Sequence, residues 1–375
     1  MNLTILNPTF PAYKREFFES LNTQLKEKGI ELTVIHGLSF FKKKVRTISD
    51  PGYTAIPLEA VELNFFGFRI AWWKKLIRNI RRIKPDIVII NFNPGNLALW
   101  IVQFYCYFHK IKVGIWGCGH IRDEISGLKR NIRDLFSNFF LKKADVNICY
   151  GSKYKTDLIN IGINENKIFI AQNTINIERI FSLDLDRAGS ISQDTYTILF
   201  VGALISEKNL DLAIRAVARL VREGFRIKFN IIGQGAIIDE LKTTVTEEKM
   251  EDYIFVLGPK YDSELSSFFV AADIFILPGT GGLAINEAMA YGLPIISTIG
   301  DGTVADLLVE NQNGYFLDDL PDVDNIYLTC RKAVSKSKSQ LLEMGQRSRQ
   351  IVGEKATLQK MVSGFKSAVY SVIDQ

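Results

Sequence analysis

Ile274-Phe275-Ile276-Leu277-Pro278-Gly279-Thr280-Gly281-Gly282-Leu283-Ala284-Ile285-Asn286-Glu287-Ala288-Met289-Ala290-Tyr291-Gly292-Leu293-Pro294 runs from a strand through a glycine-rich loop into a helix. Four consecutive apolar residues, Ile274 to Leu277, read as a strand covered on both faces. The helix around Leu283–Tyr291 stops at Gly292, with Pro294 two residues later. A buried strand feeding a tight turn and a helix is the repeating unit of a doubly wound parallel sheet, whose ligands sit at the carboxyl ends of the strands. Glycines let the backbone approach a ligand, and free amides at a helix start favour phosphate. Glu287 falls one turn into the helix, where a carboxylate accepts hydrogen bonds from sugar or ribose hydroxyls. A tight turn with a solvated glutamate is the plainer alternative.

The same grammar repeats on either side. Strands are expected at Tyr196–Val201, Lys228–Ile232, Tyr253–Leu257, Asp273–Leu277, Pro294–Ser297 and Gly314–Leu317, alternating with helices. One helix carries the stripe Leu210, Ala213, Ile214, Val217, Leu220 and Val221. Asp262 is the expected N-cap of another. Four more loops follow these strands: Gly202 to Lys208, Gly233-Gln234-Gly235, Gly258-Pro259-Lys260-Tyr261 and Gly300-Asp301-Gly302-Thr303. Lys208 stands near a helix start, where the dipole disfavours a cation, so an anionic partner is one reason for it and a solvated loop lysine the other. Pro259, Lys260 and Tyr261 could set backbone and an aromatic edge against a nucleobase.

The first half alternates too. Strands are expected at Leu3–Leu6, Glu31–His36, Asp86–Phe92, Lys112–Trp116, Asp145–Tyr150 and Lys167–Ile170. Helices are expected at Lys14–Lys28, Phe66–Lys84, Leu97–His109, Leu128–Lys143 and Lys153–Ile161. Ser182–Thr195, rich in Asp, Ser and Gly, reads as a linker.

Length and composition bound the rest. A chain of 375 residues suits two domains, and 47% hydrophobic with 23% charged residues is globular, which excludes a disordered or fibrous chain. The longest apolar run, Leu97–Phe108, is interrupted by Gln103 and is short of the roughly 20 residues of a spanning helix. No basic region precedes an apolar stretch at Met1, so no secretory signal is expected. Cys106, Cys118, Cys149 and Cys330 form no CxxC pair, which fits a reducing compartment. Residues 1–180 hold 27 Lys and Arg against 15 Asp and Glu; the remainder hold 19 against 26. The halves therefore differ in sign, and a basic half can face an anionic surface or substrate. Phe66–Lys84 reads as a basic amphipathic helix with Phe66, Ile70, Trp73, Ile77 and Ile80 on one face, and Phe40 to Arg46 precedes it. Such a helix rests on anionic lipid or packs its stripe on the sheet. Nucleic-acid-binding patterns are absent, so no nucleic-acid partner is expected.

The order Gly202, Glu207-Lys208-Asn209-Leu210-Asp211, Ile232-Gly233-Gln234-Gly235, Ala271 to Pro278 and Glu287 to Ile296 resembles the retaining GT-B glycosyltransferases of the group 1, or family-four, class. The resemblance is specific over residues 196–318. It is looser earlier, at Asn7 to Arg15, Ser152 and Ala171 to Asn176. It implies an α/β fold of two Rossmann-like, doubly wound parallel-sheet domains facing across a cleft. The acceptor-side domain would span 1–178 plus a returning C-terminal helix at 362–375, and the donor domain 179–361. By the resemblance, Lys208 neutralises the diphosphate, and Gly279, Thr280, Gly281, Gly282 and Leu283 line the phosphate and sugar. Glu287 holds ribose hydroxyls, and His120 contacts the donor sugar, so that His120, Lys208 and Glu287 are the catalytic group. Gly202, Gly233, Pro259, Lys260 and Tyr261 complete the donor side; Asn7, Pro8 and Tyr13 serve the acceptor.

Three positions depart from the family pattern: Ala203 for an arginine, Gly279 for the first acid of E-x7-E, and Val304 for a third acid. A non-catalytic nucleotide-sugar-binding subunit and a GT-B-fold sugar-nucleotide epimerase are the alternatives. The expected substrates are a UDP- or GDP-sugar and a lipid-linked glycan acceptor, in polysaccharide, lipopolysaccharide or capsule-type synthesis. No cofactor or metal is expected, because Asp184-Leu185-Asp186 and Asp322-Val323-Asp324 do not end apolar strands. The expected place is the cytoplasm or the inner face of the cell membrane.

Overall fold

The computed structural model describes the chain except residues 9, 11–12, 39–51, 66–67, 92–96, 118–127, 184–194, 301 and 375, and only the backbone at 60–65, 68–72, 97–99 and 128–133. The chain forms two compact units. Unit 1 is Met1–Gln172 with Leu358–Gln375, and unit 2 is Asn173–Thr357. The sequence places this division six residues later, at 178/179, and the return at 362.

Unit 2 is built on six parallel strands: β9 (Tyr196–Val201), β10 (Ile227–Ile232), β11 (Ile254–Gly258), β12 (Ile274–Leu277), β13 (Ile295–Ser297) and β14 (Gly314–Phe316). Their order is β11-β10-β9-β12-β13-β14, so the winding reverses between β9 and β12. Such a switch point opens a crevice at the carboxyl edge. Helix α7 (Leu210–Arg222) buries Leu210, Ala213, Ile214, Val217 and Leu220 completely. Each large aliphatic side chain in this stripe contributes about 1.5–3 kcal/mol by its burial. Before helix α9 (Asp262–Ala271) the N-cap position belongs to Tyr261, not to Asp262 as the sequence suggests, and no side chain caps it. At the amino edge, Asp273 accepts from Thr197 N (2.6 Å) and Lys338 Nζ (2.7 Å), a buried pair that ties β12 to the start of α12 (Lys338–Lys355).

Unit 1 holds an eight-stranded sheet ordered β4-β3-β2-β1-β5-β6-β7-β8. These strands are β1 (Asn2–Asn7), β2 (Glu31–Leu38), β3 (Thr54–Phe65), β4 (Phe68–Trp73), β5 (Ile87–Asn91), β6 (Lys112–Gly117), β7 (Val146–Cys149) and β8 (Ile168–Ile170). Alternation along β5 shows why both faces need cover: Ile87 and Ile89 join the core beneath α1 (Lys14–Lys26) and α13 (Leu358–Ile373). Val88 and Ile90 join the opposite core, with α2 (Leu76–Ile83), α3 (Leu97–Phe108), α4 (Leu128–Lys143) and α5 (Ser152–Asn160). Helix α13 buries Met361, Val362, Phe365, Val369 and Val372 in unit 1, and a Cβ at Gly364 would stand 2.0 Å from Ile170 O.

The expected helix Phe66–Lys84 is corrected. Thr54–Phe65 and Phe68–Trp73 pair antiparallel from Phe65↔Phe68 to Ala60↔Trp73, and α2 begins only at Leu76. Aromatic and β-branched residues at alternating positions suit a pleated strand, and this period of two won over the helical stripe. Lys75, at φ 64°, breaks strand from helix. The segment Phe40 to Arg46 and the linker's 184–194 lie outside the described residues.

Candidate functional site

In unit 2 the switch point is closed by two loops laced together by bonds that end on backbone carbonyls. After β9 the chain makes a short helical turn, Ser206–Lys208, and Asn209 then takes the left-handed conformation (φ 52°) before α7. Asparagine tolerates that conformation better than most residues, which accounts for its place in Glu207-Lys208-Asn209. Its Nδ2 donates to Pro278 O (3.1 Å), Thr280 N donates to Glu207 O (3.0 Å), and Thr298 Oγ1 donates to Gly279 O (2.8 Å). The β12 loop is thus pinned from both sides.

Lys208 is buried at 7% exposure, and its ammonium donates to Thr280 O (2.5 Å) and Gly281 O (3.0 Å). A cation set among carbonyls at a glycine loop is a fixed positive centre. A Cβ at Gly282 would meet nothing but Lys208 Nζ at 3.7 Å, so the space beside that centre is open on this side.

Two glycines are obligatory for backbone reasons. A Cβ at Gly233 (φ 149°) would lie 1.8 Å from Gly202 O, and one at Gly279 would lie 2.0 Å from Glu207 O. The second fact explains a departure noted in the sequence. With the backbone packed on Glu207 and Lys208, position 279 has no room for an acid's side chain.

Glu287 sits in the short helix α10 (Ala284–Ala290), where its amide donates to Leu283 O. Its carboxylate is largely buried, and desolvation raises its pKa above the ordinary carboxylate range. Arg179 Nη2, 3.8 Å away and itself well exposed, partly offsets that rise. The neighbouring Asn286 anchors the helix: its Nδ2 donates to Asn173 O (3.2 Å) and Thr174 Oγ1 (3.1 Å), and that hydroxyl donates to Ala356 O (2.5 Å).

Pro259, Lys260 and Tyr261 are placed differently. They follow β11, the outer strand, two strands from β9. Lys260 is engaged by Glu264 at 2.5 Å, and Tyr261 is exposed. Gly202, Gly233, Thr280, Gly281, Gly282, Leu283, Lys208 and Glu287 therefore gather around the switch point, and the β11 trio flanks it. Asp322 caps α11 (Val323–Val334) through Asn325 N (2.7 Å), and Asp324 pairs with Arg219 (2.5 Å). Both have structural work.

Unit 1 reverses its winding between β1 and β5. Asn7 ends β1, fully buried, and accepts from Lys14 Nζ (3.4 Å), whose ammonium also stands 4.4 Å from the Trp116 ring centroid. Pro8 is fixed by close approach: a Cβ at Gly37 would lie 2.6 Å from its carbonyl. Tyr13 precedes α1, partly exposed, and its phenol pKa is raised by burial. His36, its ring tilted against Phe10 (4.9 Å between centroids), has its pKa lowered by burial, and its Nδ1 is unpartnered. His36 and Trp116 are not singled out by the sequence, where their strand positions give only a core signal, and Lys14 falls in the Asn7 to Arg15 stretch without being named for a role. His120 lies outside the described residues.

Comparison with known proteins covers both units. Residues 184–351 match the family of glycosyl transferases group 1, and residues 17–179 match glycosyltransferase family 4. An amylovoran biosynthesis glycosyltransferase of Erwinia amylovora, AmsK, is 32% identical over 42% of this chain and 40% of its own length. The N-acetylgalactosamine-N,N'-diacetylbacillosaminyl-diphospho-undecaprenol 4-alpha-N-acetylgalactosaminyltransferase of Campylobacter jejuni is 28% identical over 72% of this chain and 70% of its own. In its matches to AmsK and to two relatives named for colanic acid biosynthesis, the chain spans 40% to 61% of their lengths. Among solved structures, Anabaena HepE in complex with UDP superposes with a TM-score of 0.70 at 14% identity, covering 99% of this chain and 100% of that one.

Proposed function

Because the chain belongs to the group 1 and family 4 class of glycosyltransferases, we propose that it moves a sugar from a UDP- or GDP-sugar to a lipid-linked glycan acceptor, with retention of anomeric configuration, at the inner face of the cell membrane. The observation that carries this is the buried ammonium of Lys208, held at the switch point of unit 2 by the carbonyls of Thr280 and Gly281. Transfer breaks the bond between the anomeric carbon and the diphosphate, and negative charge grows on the leaving phosphate. A preorganised cation and the backbone amides at Gly281 to Leu283 stabilise that charge in a site that excludes water. Lys208 exchanges carbonyl partners for phosphate oxygens, and Glu287 accepts from the ribose hydroxyls. This division of labour calls for no metal ion. HepE, named with UDP, and the Campylobacter relative, named for a diphospho-undecaprenol substrate, support the donor and acceptor classes.

Calorimetry with UDP, GDP and their sugars tests the donor half. Lys208→Ala is expected to weaken diphosphate binding by about 1.5–3 kcal/mol, the span of a charge-assisted contact. Unchanged affinity removes Lys208 from the site. Turnover with added acceptor separates a transferase from a binding subunit, and product analysis separates it from an epimerase.

A further inference from the structure

Unit 1 carries an apolar surface that the proposed reaction does not use. It lies where α3 ends and α4 runs past it, beside the amino ends of β6 and β7, at the sheet edge opposite the Asn7 loop. Tyr107 and Phe108 are 66% and 76% exposed, and Phe104, Leu135, Phe136 and Phe139 are each about half exposed or more. Isolated exposed apolar side chains are ordinary, but six on two adjacent helices form a patch of the kind that marks an interaction surface. The patch is ordered from within. Trp100 packs edge-on against Phe140 (4.5 Å), and Phe104 does the same (5.0 Å), so the outer rings stand on an aromatic floor. Between the two helices lies a cavity of about 520 Å³ lined mainly by these rings and by lysine stems.

Charge identifies the partner. Lys110, Lys112 and Lys143 line the cavity, Lys142 is exposed beside them, and the C-terminal turn of α3 stacks Tyr105 under Arg81 of the basic helix α2 (5.7 Å). Arg78, Arg82 and Lys84 extend the same basic ground. The acids beside this ground among the described residues are Asp86, Asp134 and Asp145; Asp86 accepts from Asn2 N (2.7 Å), and Asp145 is held by Lys112 (3.5 Å) and accepts from Val113 N (2.8 Å). Aromatic rings amid a collar of lysines match the boundary of an anionic bilayer: rings enter the headgroup layer and ammonium groups snorkel to phosphates. An obligate protein interface would carry fewer lysines at its centre.

We propose that the α3–α4 aromatic face, collared by Lys110, Lys142, Lys143 and the basic side of α2, seats unit 1 on an anionic phospholipid membrane. This surface deepens the peripheral placement proposed above and rests on it only for which membrane face is met, since the rings and lysines themselves select an anionic bilayer. It anchors the chain and does not depend on the donor site.

The test is flotation of the full chain with phosphatidylglycerol-containing vesicles and with pure phosphatidylcholine vesicles. The wild type is expected to float with the first and not the second, and raised salt is expected to release it. A Tyr107→Ser, Phe108→Ser, Phe139→Ser variant is expected to lose at least about tenfold in partitioning, given the apolar area withdrawn. Should that variant fold poorly, Lys110→Glu with Lys143→Glu is read instead, with the same expected loss. Nucleoside diphosphate affinity by calorimetry is expected to stay at the wild-type value in both, so a failed donor site and a failed membrane surface give different results. A wild type that does not float, or variants that float as well as it does, overturns the proposal. So does a wild-type dimer that the substitutions split without any flotation, which would make this face an interface between copies.

Discussion

The two switch points are built from opposite materials. In unit 2 the loops meet mainly on backbone: Thr280 N donates to Glu207 O, the one side-chain tie between them, Asn209 Nδ2, ends on the Pro278 carbonyl, and Gly233 and Gly279 lie so close to carbonyls that no Cβ fits. In unit 1 the corresponding place is set by side chains, with Lys14 bridging Asn7 and the face of Trp116. A backbone cradle suits a ligand group common to every donor, a diphosphate. A side-chain lining suits a partner that differs from enzyme to enzyme. The same contrast explains why one site is legible in sequence and the other is not.

The sharpest way to break this comparison is to put a methyl group into the cradle. Gly279→Ala forces a Cβ to 2.0 Å from Glu207 O, and about 1–3 kcal/mol of stability is expected to go, with nucleotide binding lost alongside. Gly282→Ala is its control. It should leave Tm within about a degree of wild type, because its Cβ meets only Lys208 Nζ at 3.7 Å. Equal destabilisation of the two variants in thermal melts would mean that the lacing is not what holds the loop.

Next in size is the division between the units. Lys14→Met is expected to cut transfer to an active acceptor by about tenfold, roughly 1.4 kcal/mol, through KM. It should leave nucleoside diphosphate affinity within about twofold, since the sites are independent. A calorimetric loss as large as that of Lys208→Ala would erase the division of labour.

The smallest effect has the most distinctive sign. Glu287 is desolvated in the folded unit, so its folded-state pKa is raised above the unfolded value. Its stabilising contribution is therefore present in acid and lost as pH rises through the raised pKa. Glu287→Gln is expected to melt higher than wild type at neutral pH, with the gap closing in acid, while binding nucleosides less well than wild type and inorganic pyrophosphate equally well. Melting curves that coincide at every pH would show that burial does not cost this carboxylate anything.

Much of unit 2 is legible because its signals are local. Four of its six strands, β9 to β12, run into glycine or proline, the helix after β9 has one clear apolar stripe, and the loops named in the sequence lie where the strands stop. Even the absent acid at position 279 is visible in the sequence, though only the approach of Glu207 and Lys208 gives its reason. Residues 66–73 misled because Phe66, Ile70 and Trp73 fall on a helical stripe, and the antiparallel partner that decides the matter, Ala60 to Phe65, lies in a segment with no helical reading at all. The α3 aromatics were read as a helix, correctly, but composition does not tell a buried ring from an exposed one. Trp100 and Phe108 look alike in sequence, yet Trp100 is half-buried against Phe140 while Phe108 is 76% exposed. Arg179 reaches Glu287 across 108 residues and Asn286 bonds Thr174 across 112, and no local pattern encodes such pairs.

A crystal structure of the chain with UDP or GDP is the most direct trial of the central claim. The account predicts the diphosphate against Lys208 Nζ and the amides at Gly281 to Leu283, with the ribose hydroxyls on the Glu287 carboxylate. A nucleotide bound elsewhere, with Lys208 still donating only to Thr280 and Gly281, would contradict it.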